Sequence, residues 1–268
     1  MSSTTKALSD GWVVAQRNVI KIKRVPEVLV FVLISPIMFV LLFAYVFSGA
    51  IDVPGDVDYK EFLIGGIFAQ TVVFGATFTG AGIAEDMQKG IIDRFRSLPM
   101  SPSAVLVGRT ASDVIYNVLS LIIMALTGLL VGWRVREGLG DMLLGFGLLL
   151  LFAYAVSWIM AYVGLLVPSP EVVNNASFIV IFPATFLSNA FVPQESFSGV
   201  LETIVLWNPV STVTQASREL FGNTSPAVPV PDDWSIQNPV LYTLIWVVII
   251  LVIFVPLSVR QYRRSSSR

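Results

Sequence analysis

The sequence contains no cysteine and no histidine. These absences exclude disulfide bonds, thiol chemistry and nearly all zinc, copper or haem sites, because such sites depend on thiolate or imidazole ligands. They also exclude the Ser-His and Cys-His pairs of hydrolases and the H-E-x-x-H motif of metalloproteases. Carboxylate ligands remain, but they form no recognisable motif. We therefore expect no metal site and no catalytic residue.

Charged residues are scarce as well, at 13% of the 268 residues, whereas 55% are hydrophobic. Soluble domains usually contain about a quarter charged residues, so this composition argues against a water-soluble protein. The sequence also lacks the nucleotide-binding P-loop motif G-x-x-x-x-G-K-[ST]. If the protein performs work, we expect the energy to enter through a partner.

Long hydrophobic runs are the main feature that is present. A helix of about 20 apolar residues crosses the hydrocarbon core of a bilayer. Runs of suitable length cover residues 28–47, 62–84, 112–132, 142–167, 174–192 and 241–259. The sequence therefore predicts an all-α integral membrane protein with six transmembrane helices.

Positive charge is unevenly distributed along the chain. Thirteen of the 17 lysines and arginines lie before residue 28, within 85–109, or after residue 259. Positive residues favour the cytoplasmic side, so we expect a multi-pass protein with both termini in the cytoplasm. Residues 1–27 would form a leader, 28–259 the membrane domain and 260–268 a basic tail. Within the leader, residues 9–24 are typical of an amphipathic interfacial helix or of an ordinary polar one.

Ionisable residues are absent from the middle of all six runs. Arg109 and Asp113 approach a span, at the expected cytoplasmic start of the third. Ion-coupled transporters and voltage sensors usually need such groups within the membrane, so both classes are disfavoured. Secondary transport remains an alternative, because amide side chains such as those of Gln70 and Asn117 lie within the hydrophobic runs.

The segment 193–222 does not fit a simple loop between spans. It carries two apolar stripes at helical spacing, separated by Asn208 and Pro209. Asparagine favours the cap position and proline the first turn, so Asn208 predicts the start of a helix. Both helices are too short to span a bilayer. We interpret them as a re-entrant or interfacial pair on the outer side, with Arg218 on the second.

A polar segment, residues 85–103 with the sequence EDMQKGIIDRFRSLPMSPS, separates the second and third runs. Glu85 and Lys89 are spaced to form a favourable ion pair on a helix. Ile91, Ile92 and Phe95 contribute to an apolar face. This periodicity is equally compatible with a surface helix that only returns the chain to the membrane.

Residues 85–99, E-D-x-x-x-G-x-x-D-R-F-R-S-L-P, resemble the cytoplasmic loop of ABC-2 type transporter permeases. The F-R-S-L-P wording is most similar to the daunorubicin-resistance exporter branch. The run N-P-V-S-T-V-T-Q-A-S-R-E-L, residues 208–220, is similar to the family's late outer-side helix. In that family the loop is a coupling helix that docks into a separate ATPase subunit, and two permeases pair with two ATPases.

The resemblance implies that the polar segment contacts the ATPase. The residues to which this role is carried over are Glu85, Asp86, Gly90, Asp93, Arg94, Phe95, Arg96 and Pro99. Gly90 is followed by isoleucine where the family more often has threonine. The resemblance also marks Asn208, Pro209 and Arg218 as outer-helix residues.

Phenylalanines recur four residues apart in the first and fifth runs. They are Phe39, Phe43 and Phe47 in the first, and Phe178, Phe182 and Phe186 in the fifth. Each set makes one aromatic stripe on a helix. In the resembled family these spans lie near the dimer interface, so the stripes are candidates for a substrate pathway. The alternative is that they face lipid or pack internally.

The resemblance implies the permease subunit of an ATP-driven ABC exporter for a drug-like amphiphile or a lipid. A separate ATPase would bind ATP and Mg²⁺, and this chain would hold no cofactor. Expected partners are that ATPase, a second permease copy in a homodimer or heterodimer, and membrane lipids, but no nucleic acid. The alternatives are a polysaccharide or glycolipid exporter of the same family, and a non-transporting scaffold or immunity protein.

Overall fold

The computed structural model describes residues 34, 36–47, 58–92, 94, 102–225 and 233–264. Within these residues the regular structure is helical and includes no strand. The predicted leader helix over 9–24 lies outside the described residues, as do Asp93, Phe95, Arg96 and Pro99 of the polar segment.

The helices are labelled here in chain order. They are α1 (Pro36–Val46), α2 (Tyr59–Gly75), α3 (Thr77–Gln88), α4 (Pro102–Val131), α5 (Leu139–Leu166), α6 (Pro170–Phe186), α7 (Val200–Trp207), α8 (Pro209–Phe221), α9 (Trp234–Gln237) and α10 (Pro239–Arg264). The end of α1, Phe43–Phe47, is π-helical. A short 3₁₀ turn, Gln194–Ser196, precedes α7.

Four stretches in the described part are long and apolar enough to cross a membrane. They are Tyr59–Gln88, Ala104–Val131, Leu139–Leu166 and Pro239–Arg264. The prediction of a helical membrane protein is therefore confirmed. The predicted fifth span is α6, which has 17 residues, and the first is described only from its middle onwards. A count of six transmembrane helices stays a prediction.

Ser101 followed by Pro102 predicts a helix start that leads into the third span, and α4 begins at Pro102, so this prediction is confirmed. The apolar run 112–132 is only the later part of this helix, whose first turns bury Val105 and Leu106. One predicted boundary is wrong. The fifth span was expected to reach residue 192, but α6 ends at Phe186. Pro183 in its last turn weakens the helix there.

The second span is interrupted at Ala76, where α2 ends and α3 begins. The Thr77 hydroxyl donates to the Phe74 carbonyl oxygen at 2.7 Å. The Thr79 amide bonds to the Ala76 carbonyl, an i→i+3 contact in place of the α-helical one. Threonine hydroxyls that bond to the preceding turn often bend helices, which accounts for the break.

The second helix of the outer segment begins as the sequence predicts. The Asn208 side chain accepts a hydrogen bond from the Val210 amide at 2.8 Å, and Pro209 occupies the first turn. The two short helices differ in environment. One face of α8 is buried in the core, whereas α7 exposes apolar side chains, with Val200 77% exposed. The helices are therefore confirmed, and their placement in or on a membrane stays a prediction.

Helix α5 lies at the centre of the described helices and packs against α3, α4, α8 and α10. Its contact with α3 is backbone on backbone: a Cβ added at Gly80 would lie 2.7 Å from the Met160 carbonyl oxygen, and one added at Gly164 would overlap Gly80. Only glycine permits helices to approach this closely. This packing fixes α3 on α5.

Candidate functional site: the coupling segment and an aromatic cavity

The described part of the polar segment continues α3 to Gln88 and then turns. Lys89 donates a hydrogen bond to Glu85 at 2.6 Å, so the predicted ion pair is confirmed. This hydrogen bond, together with the attraction between the two charges, raises the pKa of Lys89. Asp86 is buried against the neighbouring helices, whereas Arg94 is exposed. The segment therefore offers charge at the surface while its helix remains packed.

Gly90 explains why the segment turns where it does. Its φ angle is +65°, and a Cβ added there would meet no neighbouring atom. The left-handed conformation, rather than crowding, is thus what requires glycine. The turn brings Ile92 into a buried apolar cluster with Ile83, Trp158 and Tyr262. The segment is anchored through this cluster to α3, α5 and α10.

A cavity of about 380 Å³ lies between α1, α2, α3, α4 and α6. It is lined by Pro36 and Phe39 from α1, Gln70, Thr71, Phe74 and Gly75 from α2, Thr77 and Phe78 from α3, Tyr116 and Ser120 from α4, and Phe178 and Phe182 from α6. The break at Ala76 thus opens onto this cavity. Three of the five described phenylalanines singled out in the sequence contribute to its wall.

The two aromatic stripes meet through a residue that the sequence did not single out, Phe191. Its ring centroid lies 5.0 Å from that of Phe43 and 4.9 Å from that of Phe186. The row of rings continues on one side to Phe39 and on the other to Phe182, at 4.2 Å from Phe186. Phe43 and Phe186 support this row and do not line the cavity.

Phe191 lies in the turn after α6. It escaped detection because that turn has no helical periodicity. Phe178, at the other end of the row, is 55% exposed and stacks on Phe182 at 4.9 Å. The side chain of Phe47 lies outside the described residues.

The cavity wall also holds hydroxyl groups with unused hydrogen-bonding capacity. The Thr71 hydroxyl has no partner, and those of Tyr116 and Ser120 have at most each other. None of the described residues that line the cavity is ionised. An unpaired buried hydroxyl costs roughly 1–3 kcal/mol, which a ligand with polar groups offsets. The wall therefore suits a molecule that combines aromatic or apolar surface with neutral polar groups.

A buried polar cluster lies beside the cavity, between α3 and α4. The Thr79 hydroxyl donates to the Asp113 carboxylate, which is 5% exposed. Arg109 donates to the Phe78 carbonyl oxygen at 2.7 Å and lies 3.9 Å from Asp113. The sequence placed Arg109 and Asp113 near the start of a span but did not predict that they contact α3.

Arg218 of the outer helix connects elements that are distant in the sequence. Arg218 is 1% exposed and donates to the carbonyl oxygens of Phe62, Asn189 and Ala190 at 2.8 to 3.0 Å. Its guanidinium carbon lies 3.5 Å from the centroid of the Phe62 ring. These bonds connect α8 to α2 and to the turn after α6.

The cap residue of α8 contacts the last turn of α6 and the residue that follows it. The Asn208 amide donates to the carbonyl oxygens of Ala184 and Leu187, each at 2.7 Å. Asn208, Pro209 and Arg218 thus position α8, and they do not line the cavity.

A further ion pair, which the sequence did not indicate, joins Glu61 of α2 to Arg136 in the loop after α4. Two hydrogen bonds connect them, at 2.8 and 3.1 Å. They raise the pKa of Arg136. The pair lies at the end of the molecule opposite the polar segment.

Comparison with known proteins assigns the chain to a family. The family described as ABC-2 type transporter matches residues 10–221. The daunorubicin resistance ABC transporter permease protein DrrB1 of Streptomyces coeruleorubidus is 33% identical over 251 residues, which cover 94% of this chain and 85% of that protein.

Two more distant relatives agree with this assignment. The probable doxorubicin resistance ABC transporter permease protein DrrC of Mycobacterium tuberculosis is 26% identical over 73% of this chain and 67% of its own length. The putative transport permease ycf38 of Cyanophora paradoxa is 21% identical over 81% of this chain and 76% of its own. The chain belongs to the ABC-2 type transporter family and is an integral membrane permease of an ABC transporter.

Proposed function

We propose that this permease exports a drug-like amphiphile or a lipid across a bacterial plasma membrane. The observation that carries the proposal is the cavity between α1, α2, α3, α4 and α6, with aromatic and hydroxyl groups in its wall. Two relatives are named for resistance to daunorubicin and doxorubicin, which supports a drug-like cargo.

In this proposal the energy comes from a separate ABC ATPase that binds ATP and Mg²⁺. The polar segment is its contact region, with Glu85, Gly90 and Arg94 at the surface of the described part and Asp86 buried within it. Asp93, Phe95, Arg96 and Pro99 belong to the same surface by resemblance. Both termini lie in the cytoplasm, and a second permease copy completes the transporter within the lipid bilayer.

The cavity residues have distinct roles in substrate binding. Phe39, Phe178 and Phe182 offer ring faces, and aromatic contacts contribute roughly 0.5–1.5 kcal/mol each beyond the burial of surface. The hydroxyls of Thr71, Tyr116 and Ser120 give hydrogen bonds that fix orientation. Because no ionised group lines the described wall, we expect the apolar and neutral polar part of the cargo to lie here and a charged group of the cargo to remain outside the cavity.

The coupling role is tested by purifying the tagged protein from its native membrane in a gentle detergent and identifying what accompanies it. We expect an ATPase with a P-loop motif, and we expect it to be lost when Arg94 and Arg96 are both changed to glutamate. The matched control is Arg263→Glu, an exposed arginine of α10 outside the polar segment. Recovery of the permease without any ATPase in several detergents would favour the scaffold alternative.

A further inference from the structure

The half-helix α3 connects the two parts of the proposed site. At one end it begins at the break beside Ala76, where Thr77 and Phe78 line the cavity. At the other end it continues into the polar segment through Glu85 and the turn at Gly90. A displacement of the polar segment therefore reaches the cavity through a single short helix.

Helix α3 is held by close packing on one side, and on the other side by polar and apolar contacts with α4. It packs mainly against α5 and α6, with the close backbone approach at Gly80. On the α4 side, the bonds that cross the interface come from the cluster formed by Thr79, Asp113 and Arg109. These bonds lie immediately next to the cavity, because Arg109 binds the carbonyl of Phe78.

The same cluster also reaches the opposite wall of the cavity. Asp113 precedes Tyr116 and Ser120 on α4, and both of these residues line the cavity. The Asn117 amide donates to the Asp113 carbonyl oxygen at 2.9 Å. This cluster, together with the contact between the Phe78 and Tyr116 rings, whose centroids are 5.3 Å apart, links the wall formed by α3 to the wall formed by α4.

Stability does not by itself account for charged groups at this place. Replacing a buried ion pair by apolar residues of similar size is often neutral or stabilising. Hydrogen bonds are directional, however, so a polar contact between packed helices favours a small number of discrete arrangements. A buried directional contact therefore suits an interface that must change between defined positions.

We infer that Thr79, Asp113 and Arg109 form a positioning link that transmits movement of the polar segment, through α3, to the cavity wall on α4. The inference rests on the proposed coupling to an ATPase. It assigns these residues no contact with cargo. Their role is to make the two walls of the cavity move together when the ATPase changes state.

The absence of cysteine from the sequence allows a direct test. Tyr116→Cys reports on the cavity, and Gln88→Cys, at an exposed position at the end of α3, reports on the polar segment. Labelling rates with a small thiol reagent are compared for the complex with its ATPase, first without nucleotide and then trapped with ATP and vanadate. The labelling rate of each cysteine is measured in the protein with Thr79 and in the protein with Thr79→Val.

We expect trapping to change the labelling rate of Tyr116→Cys by about fivefold or more, the usual scale of coupling between distant sites. Thr79→Val abolishes most of this change while Gln88→Cys still responds. Thr79→Ser, which keeps the hydroxyl, restores the response. The matched control is Thr110→Val, because Thr110 is equally buried but bonds to carbonyls of its own helix.

An undiminished response of Tyr116→Cys in Thr79→Val would overturn the link. A loss of response at both cysteines would mark a structural defect and would also overturn it. If neither cysteine responds to trapping in the unaltered background, the proposed coupling to an ATPase fails, and the link fails with it. These outcomes separate the two proposals.

Discussion

Phe182 is the residue at which the aromatic row meets the cavity, since it stacks on Phe178 and Phe186 and also lines the wall. Replacing it by alanine removes a ring face from the proposed binding site. We expect the KM for doxorubicin transport to rise roughly fivefold or more, which corresponds to about 1 kcal/mol of lost aromatic contact.

The experiment compares Phe182→Ala with the unaltered protein in ATP-dependent doxorubicin uptake into inside-out vesicles. The ATPase activity without substrate is measured as well, and we expect it to be the same for both. Phe254→Ala is the control, because Phe254 contacts Tyr162 and does not line the cavity. Equal transport by Phe182→Ala and the unaltered protein, for doxorubicin and for a fluorescent lipid, would mean that the row serves packing alone.

Arg218, in contrast to Phe182, does not line the cavity, and its role is structural. Replacing it by methionine keeps most of the side-chain volume but leaves three carbonyl groups without their donor. We expect a loss of about 3 kcal/mol, since each unsatisfied buried group costs roughly 1–3 kcal/mol. The thermal unfolding midpoint in detergent should fall by roughly 5–10 °C.

Arg260→Met is the matched control for this measurement, because Arg260 is exposed on α10. A midpoint for Arg218→Met within a degree of the control would contradict the structural role. No local signal in the sequence indicates this role. Phe62 lies 156 residues away from Arg218 along the chain. The resemblance of residues 208–220 to the family's outer helix draws attention to Arg218 but does not show which groups it binds.

At the scale of elements, the close approach of α3 to α5 is tested by comparing two glycines of α5, one at the contact and one away from it. A Cβ at Gly164 would overlap the backbone at Gly80, whereas a Cβ at Gly147 would meet no neighbour. We expect Gly164→Ala to destabilise the protein by about 1–3 kcal/mol, the usual cost of overpacking. Gly147→Ala should be neutral, or stabilising by about 0.5–1 kcal/mol, because alanine favours helix more than glycine does.

Thermal unfolding of the two variants in the same detergent checks this difference. If Gly164→Ala unfolds at the same temperature as Gly147→Ala, α3 is not packed on α5 as described. The two glycine variants also test a requirement of the positioning link formed by Thr79, Asp113 and Arg109, because the link can act only if α3 is held between α5 and α4.

Several elements were predictable because their signals are local. Asn208 followed by Pro209 marks the start of α8, and the long apolar runs mark the helices that are able to span a membrane. The break at Ala76 was not predicted, although the run is rich in glycine and threonine, because it depends on which carbonyl the Thr77 hydroxyl binds. The end of α6 was misplaced because the apolar run continues past Phe186, whereas Pro183 weakens the helix before the run ends.

For the whole molecule, the sequence and the structure contribute different parts of the account. The motif at residues 85–99 indicated the family, and the comparisons confirm it. The aromatic stripes were predicted from their spacing, but the cavity was not, since it needs α1, α2, α3, α4 and α6 in one place. Its polar wall depends on tertiary contacts that spacing along one helix does not contain.

The most direct test of the account is uptake of doxorubicin into inside-out membrane vesicles that contain the permease together with its ATPase. The account predicts uptake that requires ATP, stops with vanadate, and is lost when Arg94 and Arg96 are both changed to glutamate. Uptake that is the same without ATP or without the permease, for doxorubicin and for a fluorescent lipid alike, would contradict it.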